Sequence, residues 1–429
     1  MAELLRFELF NVTHKIPDQG CVTVPRSIID KLYKYTLTLQ QNSETFGFSK
    51  TNAPLPYLDS YYKEHILNHL KEFLLKYSVI SYFYQQLREQ KIITVGDPRL
   101  IDISLDPAEN ARYTFRFTPA KHTPVRDWRY LPFRPPERKN YKDIDKQATN
   151  FISEERVLQD AVAQDHEIIP GDWVLFEATL LNKNKKPIIQ NFSESLWIQI
   201  GSEETSEPFR NLFLKKKRDE HFISSHTCLQ EFFSQTNYNY TFDIFIKEIL
   251  PYNYFSFESF KKHFRLKSER KMHQKIVEVY SFRNDISLRR AMIEEAFTLI
   301  GRTYPIDVPK SAILRQEKNL LAELQTNPDY TVYKLQSDFA KKVHLLAEKQ
   351  VRESLLIDYF SVQENINIED EDVFNYLNLT KRPRTKEFIH FIHPDIKANE
   401  EELPISHESL KYLCTKEKTV NHILYHLTK

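Results

Sequence analysis

The chain has 429 residues, and its 60 Lys and Arg against 59 Asp and Glu leave a formal net charge of +1. This balance excludes a global electrostatic field that would steer the chain to DNA or to an anionic membrane. Its six glycines lie far apart, so they cannot form a glycine-rich phosphate-binding loop, and the common nucleotide-driven activities are excluded as well. Three scattered cysteines indicate a reducing compartment, and no signal-like or membrane-spanning apolar run is found. We therefore expect a cytoplasmic protein of about three domains.

Residues 1–117 are predicted to form an α+β domain. Extended runs on either side of Pro17–Gly20 predict a β-hairpin with that tetrapeptide as its turn. Two helices follow, and the second carries apolar residues at helical spacing from Ile66 to Phe83. An alternating strand in ARYTFRFTP closes the domain.

The segment between these two helices, TFGFSKTNAPLP (Thr45–Pro56), has the composition of a shaped and exposed turn. Gly47 gives the backbone freedom that a tight turn needs, and the prolines restrict φ behind it. Phe48 and Lys50 are the side chains that such a turn presents to solvent or to a partner.

Residues 118–150 are predicted to be an extended, semi-rigid linker, because prolines recur among arginines and aromatic residues. A basic and aromatic segment of this kind is also a weaker candidate for binding single-stranded RNA. Residues 151–250 open with a helix at ISEERVLQDAVAQ and continue as strand-like runs, which predicts a small antiparallel sheet domain.

Residues 251–429 are predicted to form an all-α domain. The helical pattern over 331–363 is long and mixed in polarity, so we expect a protruding arm that buries only part of its length. Residues 381–429 show no clear pattern.

Two histidine pairs at helical spacing, His65 with His69 and His422 with His426, are candidates for a metal site. Neither pair has a third ligand in its motif, so we interpret both as faces of amphipathic helices. No nucleophile motif is recognisable, and the sequence predicts neither a metal nor another cofactor.

Three stretches occur in the same order as in a known family. They are GFSKTNAP (Gly47–Pro54), YPIDVPKSAILRQEKNLL (Tyr304–Leu321) and LLIDYFSVQENINIEDEDVFNYL (Leu355–Leu377). Together with the domain order, they resemble the trigger factor family of bacterial ribosome-associated chaperones. The resemblance implies a ribosome-binding N-terminal domain, an FKBP-type prolyl isomerase domain over 151–250 and a helical chaperone domain.

The resemblance implies that Gly47, Phe48 and Lys50 form a ribosome-binding loop, with Lys50 meeting RNA phosphate or an acidic ribosomal protein. The family's arginine is replaced by Ser49, and its second glycine and lysine are Thr51 and Asn52. We therefore expect weakened docking. In the alternative interpretation, the segment is an ordinary loop with Phe48 packed inward.

The resemblance also implies an isomerase pocket with Phe209 and Phe242 as its walls. An isomerase of this type encloses proline in an apolar pocket that favours the twisted amide. Several of the family's pocket positions differ here: Ala178, Pro187, Thr205, Ser206 and Leu212. We expect little or no isomerase activity, and in the alternative interpretation both phenylalanines belong to the core.

The function that follows is an ATP-independent chaperone that holds nascent or unfolded polypeptides near the ribosome exit site, with ribosomal protein and RNA as partners. One alternative is an active prolyl isomerase that acts on unfolded proteins. Another is an assembly or holding factor that keeps the scaffold without binding the ribosome.

Overall fold

The computed structural model describes residues 4–13, 16–43, 45–96, 98–118, 120, 125–138, 143–160, 166–201, 207–236, 238–283, 286–325, 327–393, 397–398 and 401–429. Their helices are α1 (Arg26–Gln41), α2 (Leu55–Leu74), α3 (Ile80–Glu89), α4 (Ile144–Asp160), α5 (Glu207–Phe213), α6 (Thr227–Phe233), α7 (Phe257–His263), α8 (Glu269–Tyr280), α9 (Leu288–Thr303), α10 (Lys310–Gln325), α11 (Tyr330–Lys334), α12 (Phe339–Gln363), α13 (Asp370–Thr380) and α14 (His407–Leu427).

The strands are β1 (Arg6–Thr13), β2 (Ile16–Val24), β3 (Arg99–Ser104), β4 (Ala111–Arg116), β5 (Trp173–Leu181), β6 (Ser193–Gln199), β7 (His221–Ser224), β8 (Thr241–Leu250), β9 (Phe282–Arg283), β10 (Ile286–Ser287), β11 (Lys397–Ala398), β12 (Glu401–Glu402) and β13 (Ile405–Ser406). The predicted fold class, α+β with antiparallel sheets and a helical C-terminal part, is confirmed. Within the described ranges, every helix is too short or too polar to cross a membrane.

The N-terminal sheet is antiparallel, with the strand order β1-β2-β4-β3. The predicted position of its first turn is wrong, because Pro17–Gly20 lies inside β2 and Gly20 pairs with Leu9. Glycine is needed at this position for a steric reason, because a Cβ atom here would lie 2.8 Å from the ring of Phe7. Glycine here allows an aromatic side chain to pack on the strand.

A single π-helical turn, Leu75–Val79, joins α2 to α3. It buries Tyr77 completely. Such turns bulge out of the regular helix and re-aim the side chains they contain, and this one directs Tyr77 into the second sheet, where its hydroxyl reaches the backbone of β5.

The second sheet is antiparallel with the strand order β13-β6-β5-β8-β7. Four of its strands come from residues 173–250; the pattern predicted β5, β6 and β8 but not the short β7, and β13 is added from residues 405–406. One continuous apolar cluster contains Phe73 of α2 and residues of both sheets, including Tyr113, Phe176 and Phe242. The predicted domain boundaries stay a prediction, and ranges 1–117 and 151–250 share a core.

The prediction that residues 118–150 form a purely extended linker is wrong in two places. A 3-10 turn occupies Trp128–Tyr130, and α4 begins at Ile144, before the predicted end of the linker. Trp128 is buried and packs edge-on against Phe360 of α12, with their ring centroids 5.0 Å apart. The apolar aromatic residue thus anchors this segment to the helical part of the chain. Residues 119, 121–124 and 139–142 of the predicted linker lie outside the described ranges.

The helical part is built around α14, which lies where the sequence shows no clear pattern apart from the helical spacing of His422 and His426. Its buried residues contact α3, α9, α12 and α13. The predicted long arm is interrupted, since α11 ends at Lys334 and α12 begins at Phe339. α10 and α12 pack on each other to form the arm, over a small apolar cluster of Ile313, Leu320, Val343 and Ala347.

Candidate functional site

The loop between α1 and α2 forms the tight turn that its composition predicts. Gly47 has φ +82°, and a Cβ atom there would contact nothing within 4 Å. Its left-handed backbone, rather than a lack of space, accounts for the glycine. The Phe48 N–H donates to Thr45 O at 3.0 Å and closes the turn, and Lys50 is exposed and forms no ion pair with a described residue.

The loop presents a row of aromatic side chains, which we call the loop patch: Phe46, Phe48, Tyr57 and Tyr61. Phe48 is 37 % exposed and packs against Tyr57, with their ring centroids 4.9 Å apart. Phe46 is 77 % exposed. Sequence reasoning missed Phe46, although its place before Gly47 at the tip of the turn was the available signal. The role of Gly47, Phe48 and Lys50 in ribosome binding stays a prediction.

Six large apolar side chains of the arm are exposed, and we call them together the arm patch: Leu314, Val332, Tyr333, Leu335, Leu345 and Leu346. Leu335, between α11 and α12, is 87 % exposed. Scattered single apolar residues are normal on protein surfaces, whereas a group of them on one protruding element is typical of a binding surface. The sequence pattern predicted partial burial of the arm but did not identify these residues.

Phe209 and Phe242, the predicted isomerase pocket walls, are both buried, with 4 % and 0 % of their surface exposed. Phe209 lies on α5 and Phe242 on β8. The Phe242 ring packs on Phe233, whose ring lies 5.2 Å from that of Tyr77 and 5.6 Å from that of Phe73. Phe233 of α6 therefore lies between Phe242 of the sheet and two aromatic side chains of the segment from α2 to α3, Phe73 and Tyr77.

Tyr77 is held in this position by hydrogen bonds to the sheet backbone. Its hydroxyl lies 2.9 Å from Ala178 O and 3.0 Å from Phe192 O, to one of which it donates, and it accepts from Leu180 N–H at 3.2 Å. Burial raises the pKa of the Tyr77 phenol, so it stays neutral. Thr205 and Ser206 lie outside the described ranges.

The first histidine pair is split between two environments on α2. His65 is exposed, whereas His69 is buried and its two ring nitrogens lie 3.0 Å from Ser234 Oγ and 2.9 Å from Tyr240 Oη. Burial lowers the pKa of His69 to about 4, so the ring is neutral at pH 7. His69 thus joins α2 to the second sheet, as expected of a structural histidine.

The second pair lies on α14. His422 Nε2 is 3.3 Å from Glu364 Oε2, and the His426 ring packs edge-on against Trp128. Burial lowers the pKa of both rings. Among the described residues, no group of three His, Cys, Asp or Glu is placed to hold a metal ion.

Comparison with known proteins gives one informative match. No protein-family model matches the chain. It is 20 % identical over 364 residues to the trigger factor of Geobacter sulfurreducens, which covers 81 % of each chain. A solved structure from a study of the trigger factor chaperone aligns with 96 % of this chain and 97 % of its own, at 14 % identity and a TM-score of 0.35.

Proposed function

We propose that this chain, a divergent relative of trigger factor, is an ATP-independent chaperone that holds nascent or unfolded polypeptides near the ribosome exit site in the cytoplasm. The family resemblance inferred from three motifs is confirmed by the match over 81 % of both chains. The observation that carries the holding function is the arm patch, where six large apolar side chains remain exposed on a protruding helical arm.

The arm patch suits reversible binding. Each large apolar side chain gains about 1.5–3 kcal/mol when it is fully buried, so several partial contacts hold an unfolded segment weakly and without sequence specificity. Binding at several points raises the overall affinity. A client that folds buries its own apolar residues and so leaves the arm, because the chaperone stabilises only the unfolded form. Such a cycle needs no nucleotide.

The triple substitution Leu335→Ser, Leu345→Ser and Leu346→Ser is expected to weaken client holding. We expect about ten times more variant than wild type to be needed for half-maximal suppression of aggregation, which corresponds to a loss of about 1.4 kcal/mol. The measurement is light scattering after a guanidinium-denatured enzyme is diluted into buffer. The matched control replaces three exposed apolar residues outside the arm, Val157, Ile223 and Ile392, with serine. Equal activity of the arm variant and wild type would contradict the proposal.

The loop patch is the proposed contact with the ribosome. The double substitution Phe48→Ala and Lys50→Ala is expected to reduce cosedimentation with ribosomes several-fold at low salt, since it removes an aromatic contact and a cation from the loop. The control is Ile223→Ala with Lys186→Ala, which removes one exposed apolar side chain and one exposed lysine elsewhere. Unchanged binding of the double variant would remove the loop from the proposal. Absence of wild-type binding would favour the ribosome-independent alternative.

The alternative of an active prolyl isomerase receives less support. Phe209 and Phe242 are buried, and the Tyr77 hydroxyl is bonded to the backbone of β5. The aromatic side chains of the sheet unit are therefore enclosed. We infer that the sheet unit acts mainly as a scaffold.

A further inference from the structure

A positively charged surface surrounds the C-terminal end of α14. We call it the basic surface and define it by Arg129, Arg265, Lys267, Lys271 and Lys429. All five residues are exposed. Arg129 pairs with Glu364, while the other four form no ion pair with any residue in the described ranges. The chain as a whole is nearly neutral, so this is a local concentration of charge.

Tyr425 lies beside Lys429 in the basic surface and is 45 % exposed. Lys429 Nζ lies 4.4 Å from the centroid of the Tyr425 ring. A hydrogen bond from Lys429, together with the charges of Lys429, Lys267 and Lys271, lowers the pKa of the Tyr425 phenol. Three ammonium groups therefore act on one exposed aromatic ring.

Aromatic rings alternate with the cations across this surface. The His426 ring lies 5.3 Å from that of Tyr425 and 5.7 Å from that of Trp128, and the Arg129 guanidinium lies 5.5 Å from the Trp128 ring centroid. Tyr130, next to Arg129 on the same 3-10 turn, is 85 % exposed. Tyr425 and Tyr130 are exposed whereas Trp128 is buried, so the basic surface offers two flat rings as well as positive charge.

A recess of about 360 Å³ extends the basic surface along α7, and it is lined by Glu258, Lys261, Lys262, Arg265, Leu266 and Lys267. Its carboxylate is already paired, since Lys261 Nζ lies 2.5 Å from Glu258. Lys262 pairs with Glu371. Arg265 and Lys267 therefore remain available to an anion. Glu364, the other carboxylate near this surface, is already bound by three neighbours: Trp128, Arg129 and His422.

We propose that the basic surface binds single-stranded RNA, with phosphates at Lys267, Lys271, Lys429 and the recess and with a base stacked on Tyr425. Cations that follow the backbone and exposed aromatic rings that stack with bases are the two elements of sequence-independent recognition of single strands. An acidic protein would need the charges but not the rings, so the observations favour RNA. This site is separate from the loop patch and does not depend on the chaperone function.

The test is fluorescence anisotropy of a labelled 12-nucleotide oligouridylate, titrated with the full chain at 0.05 M and 0.2 M KCl. The triple substitution Lys267→Ala, Lys271→Ala and Lys429→Ala is expected to reduce the slope of log affinity against log salt by about 2, because each lost phosphate contact removes about 0.7. Tyr425→Ala is expected to weaken binding at least about 5-fold, which is the lower end for loss of one stacked base. The matched control replaces Lys31, Lys318 and Lys341, three exposed lysines on other surfaces, with alanine.

The variant sites are exposed, so thermal unfolding and suppression of aggregation should match wild type, which separates this proposal from the chaperone function. Failure of wild type to bind the RNA at 0.05 M KCl would overturn the proposal. If alanine substitution of the three control lysines weakens RNA binding equally, the proposal is also overturned. If polyglutamate of the same charge competes as well as RNA and Tyr425→Ala has no effect, the basic surface recognises an acidic protein and the RNA proposal is wrong.

Discussion

Glu417→Ala is expected to lower the free energy of unfolding by about 4 kcal/mol, because it leaves a buried arginine without its counter-charge. Arg289 on α9 and Glu417 on α14 are 1 % and 0 % exposed, and Arg289 Nη2 lies 3.6 Å from Glu417 Oε1. Burial lowers the pKa of the Arg289 guanidinium and raises that of the Glu417 carboxyl, and their mutual attraction opposes both changes. Each charge is tolerated in the core because the other is present.

The same carboxylate also fixes the segment before α14. Glu417 Oε2 accepts from His390 N–H at 2.9 Å and from Phe391 N–H at 3.1 Å. Arg289 Nε donates to Phe388 O at 3.3 Å, and its Nη2 donates to Asn421. The alanine variant therefore also removes the acceptor of two partly buried N–H groups, and this loss adds to the destabilisation.

Urea denaturation followed by circular dichroism measures this effect. Glu417→Gln keeps an acceptor for the two N–H groups but removes the charge, so it should lose less stability than Glu417→Ala. The matched control is Glu348→Ala, which breaks the ion pair with Arg352 on the partly exposed side of α12 and should cost less than about 0.5 kcal/mol. If Glu417→Ala lowers the free energy of unfolding no more than the control does, the buried ion pair does not contribute to stability.

Local patterns in the sequence predicted the helices and the loop but not how they assemble. The restriction of φ by Pro54 and Pro56 and the apolar spacing after them place the start of α2 correctly. Gly47 also marked a backbone with positive φ. These features depend on a few neighbouring residues, so they can be read from a short window.

The contacts that close the sheet could not be predicted in this way. Tyr77 bonds to Ala178 O across 101 residues of chain, and β13 pairs with β6 across about 200 residues. Periodicity shows which side of an element is buried but not which partner covers it. The identity of Ala178 predicts a smaller apolar pocket, but it does not indicate that the Ala178 carbonyl accepts a hydrogen bond from Tyr77. The arm patch could not be predicted, because the identity of a leucine does not show whether its side chain is exposed or buried.

Glu194 lies at a junction of three parts of the chain, where a buried carboxyl makes stability depend on pH. It is 1 % exposed on β6 and accepts a hydrogen bond from Ser81 Oγ of α3, which lies 2.7 Å from Ser406 Oγ of β13. Burial raises the pKa of Glu194 to about 8, and the nearby charges of Glu408 and Glu177 act in the same direction. At pH 7 the carboxyl is therefore mainly protonated.

Glu194→Gln is expected to gain stability relative to wild type as the pH rises. Because the pKa is higher in the folded protein than in the unfolded chain, the stabilising effect of the neutral form is complete below about pH 4.5 and is lost as the pH rises through about 8. Glutamine carries no charge at any pH, so its advantage should grow to at most about 5 kcal/mol by pH 9, because the pKa rises from 4.5 to about 8 and each pKa unit corresponds to about 1.4 kcal/mol. Urea denaturation of both proteins between pH 5 and pH 9 measures the difference, with Glu64→Gln on the exposed side of α2 as control. Parallel stability curves for Glu194→Gln and wild type would show that ionisation of Glu194 does not govern this junction.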